Sequence, residues 1–179
     1  MLSQKMQAAL NEQINAESYS AYLYLSMGAY FESLGLNGFA AWMGAQAREE
    51  VFHAFKIYTF INDRGGRVRL KAIEAPPTEW ASPLAAFQDA LAHEQKVTGL
   101  INSLVDMSRE EKDHASDIFL QWFVTEQVEE EDSVGDVVLK LKLIGDEGNA
   151  LFMMDKELGL RTVSPAAAAI MSMAPAPAA

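Results

Sequence analysis

The sequence predicts an all-α fold: a four-helix bundle with one long crossover and a short fifth helix. Two observations carry this. Apolar residues recur every three or four positions along four long stretches, which marks one buried face on each of four helices. The joints between these stretches are also unequal. Those at 34–37 and 107–110 are short, whereas 65–81 is a 17-residue stretch without helical periodicity.

The first helix is expected from Ser3 to Ser33, with Gly35 as its stop. The second is expected to start after Asn37, read as its N-cap, and to end at Arg64 before Gly65 and Gly66. Pro76 and Pro77 mark the following segment as a loop. Ser82-Pro83 supplies an N-cap with proline at the first helical position, and the third helix runs to Met107. Ser108 and Glu111 have the spacing of a capping box for a fourth helix reaching Ile144, before Gly145. A fifth helix is expected over 147–158, ending at Gly159. Residues 1–163 form one domain, and the Ala/Pro-rich residues 164–179 are expected to be a flexible tail.

Loop length sets the topology. Short joints make helices one and two, and three and four, antiparallel neighbours. A 17-residue loop reaches about 56 Å when extended, and a 28-residue helix is about 42 Å long. The loop can therefore cross the whole bundle and make helices two and three parallel.

Each apolar stripe is interrupted near its middle by a residue that can bind metal. The first reads Leu10, Ile14, Glu17, Ala21, Tyr24, and the second Phe39, Met43, Gln46, Glu50, His53, Ile57, Phe60. The third reads Leu84, Phe87, Leu91, Glu94, Thr98, Ile101, Val105, and the fourth Phe119, Phe123, Gln127, Glu130, Val134, Val137, Leu141. Mid-helix positions meet at one level whichever way the helices run. Glu17, Glu50, His53, Glu94, Gln127 and Glu130 thus converge inside the bundle. Unpartnered buried carboxylates each cost several kcal/mol, against a net domain stability of about 5–15 kcal/mol. They must be protonated or hold cations, and metal is the simpler answer. Two divalent ions would balance the four carboxylates, with His53 binding as neutral imidazole. Glu50 and His53 have the i, i+3 spacing of the Glu-x-x-His element of di-metal carboxylate bundles. Glu50 is the expected bridge between the ions, and oxygen-rich ligation with one imidazole suits iron or manganese.

Lone acids and histidines read differently. His93 and His114 lack a matching carboxylate and are read as ordinary helix residues. Glu129-Glu130-Glu131-Asp132 would by itself be a solvated charge run. The composition narrows the partners. Lys plus Arg is 14 against 25 for Asp plus Glu, a net charge of −11. That argues against nucleic acid and anionic membranes as partners. Cysteine is absent, which excludes disulfides, iron–sulfur clusters and thiolate zinc. No apolar run reaches membrane-helix length and residues 1–20 carry no signal-like block, so a cytoplasmic protein is expected.

The chain resembles the non-haem bacterial and archaeal ferritins. The resemblance covers about residues 1–163 and includes Gln13-Ile14-Asn15-Ala16-Glu17, Tyr22-Leu23-Tyr24, Arg48-Glu49-Glu50 with His53, and Gly65-Gly66-Arg67-Val68. It continues through Pro76-Pro77, Trp80, Ser82-Pro83, His93-Glu94 and Trp122 to Glu131. It implies a ferritin-like bundle with a two-iron ferroxidase centre at Glu17, Glu50, His53, Glu94, Gln127 and Glu130. It further implies a third iron site at Glu49, Glu126 and Glu129, sharing Glu130, and places Tyr24 beside the di-iron pair. Trp122 is either a second redox-active aromatic or core packing. The function implied is iron storage and detoxification: Fe(II) is oxidised by dioxygen or peroxide and stored as ferric mineral in a homo-oligomeric shell of 24 subunits. Haem is not expected, because Val51 stands where bacterioferritins carry the ligating methionine. Gln127 and Glu130 also replace their second Glu-x-x-His pair. Two alternatives share the bundle: a di-iron peroxidase resembling rubrerythrin, weakened by the lack of cysteine, and a passive metal-binding cage.

Overall fold

The computed structural model describes residues 2–145, 148–165, 167 and 168. Among the described residues there are five helices: α1 (Gln4–Ser33), α2 (Asn37–Asp63), α3 (Pro83–Glu110), α4 (His114–Ile144) and α5 (Gly148–Leu158). The bundle is built from two hairpins, α1 with α2 and α3 with α4, and α5 packs mainly on α2. Residues 1, 146, 147, 166 and 169–179 lie outside the described residues. They include the start expected for the fifth helix and most of the expected tail.

Helix boundaries follow local chemistry where a local residue supplies the cap. The Ser3 hydroxyl accepts from the Met6 amide, and that of Ser82 from the Ala85 amide. Gly35 and Gly65 end α1 and α2 with φ of 74° and 71°, a left-handed geometry that a Cβ would strain.

Two expected caps are corrected. Asn37 is the first helical residue of α2, and Leu36 at the cap position makes no side-chain hydrogen bond. The free amides of Gly38 and Phe39 donate instead to Asp155 Oδ1 on α5, at 2.7 and 3.1 Å. Gly38 is required there, since a Cβ would sit 1.6 Å from the Asp155 carbonyl oxygen. Nor do Ser108 and Glu111 form a capping box. Ser108 is buried inside α3 and donates to the Val105 carbonyl, while Glu111 accepts from the Ser3 hydroxyl. Asp113 caps α4, accepting from the Ser116 amide and hydroxyl and from Arg64. The two corrections have different causes: a remote residue, Asp155, caps α2, whereas α3 runs on past Ser108 to Glu110 and leaves the α4 cap to Asp113.

The crossover is an extended strap laid along α1. Gln7 Oε1 accepts from the Arg67 amide, and Asn11 donates to the Arg67 carbonyl and accepts from the Arg69 amide. Asn15 and Ser26 then donate to the carbonyls of Ala72 and Pro77. Both partners advance together, so the strap runs parallel to α1 and returns the chain to the end where α3 begins. These side chains satisfy backbone groups that an extended segment without a sheet leaves free.

The apolar core is split into two clusters. One holds Tyr24, Phe31, Phe39, Met43 and Phe87 with Val134 and Leu141, and α5 adds Met154 and Leu158. The other holds Met6, Leu10, Ile57, Ile61, Ile101, Leu120 and Phe123. The buried polar residues of the four stripes lie between them in sequence on every helix.

Candidate metal centre

The structure buries all six residues of the expected centre: Glu17, Glu50, His53, Glu94, Gln127 and Glu130. Helical spacing is the reason, since each occupies a position where its own stripe would otherwise carry a core residue. Donor atoms of Glu17, Glu50 and His53 come within 4.8 Å of one another, as do those of His53, Glu126 and Glu130. His53 is common to both groups. Its Nδ1 is 3.4 Å from Glu50 Oε2, and its Nε2 is 3.9 Å from Glu126 Oε1.

Glu94 belongs to neither three-residue group. It accepts from the Tyr24 hydroxyl and from Gln127 Nε2, the latter at 3.3 Å. Gln127 Nε2 also reaches the Glu94 carbonyl and Thr98 Oγ1. Tyr24 is fully buried, and burial together with Glu94, Glu50 and Glu130 keeps its phenol protonated, as a donor must be.

Two further residues act here that were not singled out from sequence. Gln46 donates to both Glu50 and Glu130, and Gln13 donates to Glu17 at 3.0 Å. Both are buried. The signal was present: Gln46 lies one turn before Glu50 on its stripe, and Gln13 one turn before Glu17.

The electrostatics of the group favour a cation. Burial raises the carboxyl of Glu17 to about 8, and neighbouring Glu50 adds to the rise. Burial and Glu94 raise that of Glu130 to about 7. Glu50 and Glu94 are raised for the same reasons, burial first and neighbouring carboxylates second. Glu17 Oε2, Gln46 Oε1 and His53 Nε2 are buried without hydrogen-bond partners. Converging carboxylates, an imidazole and unpaired oxygens form a donor set that suits divalent iron.

The residues expected at a third site are placed close by but unequally exposed. Glu49 is buried, Glu126 half-buried and Glu129 exposed. Glu49 and Glu129 both push the Glu126 carboxyl upward, after burial. Glu49 is already engaged: Oε2 accepts from Arg161 Nη2 at 2.6 Å, and Oε1 from the Ser164 amide at 3.0 Å. Trp122 packs edge-on against His53, with ring centroids 5.4 Å apart, and carries the Lys56 ammonium over its face. His93 pairs with Ser20 Oγ at 2.7 Å, and burial lowers its imidazole to about 4, so it is neutral. His114 is exposed at the start of α4.

Known proteins resemble this chain over most of its length. Residues 7–144 match the family model of the ferritin-like domain. A bacterial non-heme ferritin of Bacteroides fragilis is 46% identical over 161 residues, covering 90% of this chain and all of that protein. One from Staphylococcus aureus is 44% identical over 162 residues, covering 90% and 98%. Among solved structures, an open-pore ferritin of the hyperthermophilic archaeon Archaeoglobus fulgidus superposes with a TM-score of 0.90 at 57% identity, over 90% of this chain and all of that one. An engineered closed form of the same ferritin gives 0.91 at 57% identity, over 92% and 100%.

Proposed function

The chain belongs to the ferritin family, and from that membership we propose that it stores iron after oxidising Fe(II) at the centre between its helices. The observation that carries the reading is the buried constellation itself: four carboxylates and His53 on four helices, with orphaned donor atoms facing inward. Glu17, Glu50 and His53 hold one Fe(II). Glu94 and Glu130 hold the second, assisted by Gln127, and Glu50 bridges the two. Glu126, which lies beside His53 and Glu130, is the way out toward Glu49 and Glu129.

The electron balance is simple. Two Fe(II) ions give up two electrons, which with two protons reduce dioxygen to hydrogen peroxide, or peroxide to water. The chain's own contribution is positional. Gln46 ties Glu50 to Glu130, Gln13 holds Glu17, and Tyr24 fixes Glu94. The raised carboxyls release protons as cations bind, so substrate binding is also proton release.

The product is ferric mineral held in a hollow homo-oligomer of 24 subunits. Apolar residues left uncovered on the monomer support self-assembly. Tyr22, Leu25, Val51 and Phe55 form an exposed face on α1 and α2, beside Ile73 of the strap. Phe152, Met153 and Leu160 are exposed at the α5 end. The operating compartment is the cytoplasm; no helix among the described residues is long and apolar enough to cross a membrane.

Stopped-flow oxidation under substoichiometric Fe(II), with sedimentation velocity on the same sample, tests this reading. Fast oxidation that saturates at two Fe(II) per chain, in a particle of about 24 chains, is expected. Equilibrium binding without rapid oxidation would reduce the protein to a passive cage.

A further inference from the structure

The segment after α5 closes on Glu49 with both of its hydrogen-bonding resources. Arg161 Nη2 takes one carboxylate oxygen at 2.6 Å and the Ser164 amide takes the other at 3.0 Å. The segment is anchored independently of that carboxylate. The Arg161 guanidinium lies 4.1 Å from the centroid of the buried Trp42 ring. Ser164 begins a short turn, accepting from the Ala167 and Ala168 amides, and Ala167 is fully buried. Arg161 Nη1 is buried with no partner among the described residues, so Glu49 engages only part of the guanidinium. Its charge is felt as far as Glu130, on the opposite hairpin.

Glu49, Glu126 and Glu129 carry three negative charges when ionised, and the cation now in direct contact with Glu49 belongs to the chain. We infer that Arg161 is a tethered competitor for a third metal ion: iron can use Glu49 only when the guanidinium and the Ser164 amide release it. This rests on the reading of the neighbouring centre as an iron site. The competition has a direction. The buried axial group has no lysine or arginine in ion-pair contact, so its ions meet no rival. An ion at Glu49 must displace a bidentate clasp and is therefore held more weakly. The third position becomes a place of passage, and its filling frees residues 161–164 from α2.

Titration of the assembled, metal-free full chain with Zn(II), a redox-inert probe, separates the possibilities. The wild type should bind two ions tightly and a third more weakly. Arg161→Gln should leave the first two unchanged and tighten the third about tenfold, the scale of one charge-assisted contact. Arg161→Lys should restore most of the wild-type weakness. Ser164→Pro removes the amide donor while keeping the charge, and should tighten the third ion by less. Glu49→Gln should remove it. Hydrogen exchange read by mass spectrometry should show the peptide spanning 160–165 losing protection only as the third equivalent binds. A merely structural Arg161 would give the opposite sign, with weaker binding in the glutamine variant. Unchanged or weaker third-ion affinity in Arg161→Gln, or no third ion in any variant, overturns the inference while leaving the axial site standing. Failure of the wild type to bind the first two ions overturns the reading of the centre, and the inference with it.

Discussion

Glu50 and Glu49 are neighbours on α2 and both are buried, but their surroundings differ in kind. Glu50 points to the bundle axis, where Glu17, Glu94 and Glu130 crowd it and only amide, phenol and imidazole groups answer. Glu49 points to the flank where Arg161 and Ser164 lie, and a guanidinium and a backbone amide satisfy both oxygens. The axis is thus preorganised at the cost of its own apo stability, and the flank is stable without metal. Burial alone does not define a metal site. A buried carboxylate lacking a fixed cation is an open demand for one, whereas a buried carboxylate holding an arginine is a demand already met.

Removing each carboxylate tests that contrast most severely. Glu50→Ala should slow fast Fe(II) oxidation by at least about 100-fold, since losing even an outer-shell partner of a metal ligand costs about 10–100-fold. The same change should leave apo thermal stability equal or higher, because it deletes a buried carboxyl crowded by Glu94 and Glu130. Glu49→Ala should do the reverse. Oxidation at the pair should persist, and the apo protein should lose about 1–3 kcal/mol as Arg161 is left without its partner. Thermal unfolding and initial rates on both variants decide it; destabilisation by Glu50→Ala would break the comparison.

The pH dependence of apo stability is the next largest effect. Glu17 titrates at about 8 and Glu130 at about 7, against 4.5 for an ordinary glutamate. Between 4.5 and these values the folded chain binds more protons than the unfolded chain, so stability falls as pH rises through that window. Their raised values cost nothing below 4.5, where both states are protonated. Metal-free protein should therefore melt at progressively lower temperature from pH 5 to 8. Zn(II)-loaded protein should lose that slope. Calorimetry of Zn(II) binding near pH 6 in buffers of different ionisation enthalpy should show protons released. A flat apo profile would mean that the axial carboxyls are not held protonated by burial.

Tyr24→Phe should be the gentlest. It removes one donor to Glu94, a net loss of about 0.5–1.5 kcal/mol, or about 2–12-fold in rate. With the donor gone, Glu94 ionises less readily, so the oxidation rate should reach its plateau at higher pH. An unshifted pH–rate profile would show that the phenol does not set the state of Glu94.

Much of this was legible in the sequence because it follows from period. A 3.6-residue repeat interrupted by acids fixes which side chains face inward, and mid-helix placement fixes their level. Glu17, Glu50, His53, Glu94, Gln127 and Glu130 needed nothing more to be found. Ser3, Ser82, Gly35 and Gly65 were equally readable, since caps and left-handed stops are local. The features that escaped depend on partners far along the chain. Asp155 caps α2 across more than 100 residues, and Arg161 and Ser164 reach Glu49 over similar separations. No repeat announces such pairings. Gln13 and Gln46 are intermediate: each stands one turn before a stripe carboxylate, but amides inside a core look like ordinary polar interruptions until their acceptors are seen.

The strap along α1 also acts as a gauge of axial phase. Gln7, Asn11 and Asn15 stand one helical turn apart, and each grips the strap at a defined residue between Arg67 and Ala72. The strap then delivers α3 at a height set by that grip. Glu94 meets Tyr24 across a separation of 70 residues because of it. One residue of extended chain spans about 3.3 Å, roughly the whole length of a hydrogen bond. The halves of the centre carried by the two hairpins come into phase only when the strap is seated in register. An exposed stretch of irregular chain therefore carries the alignment tolerance of the chemistry buried beneath it.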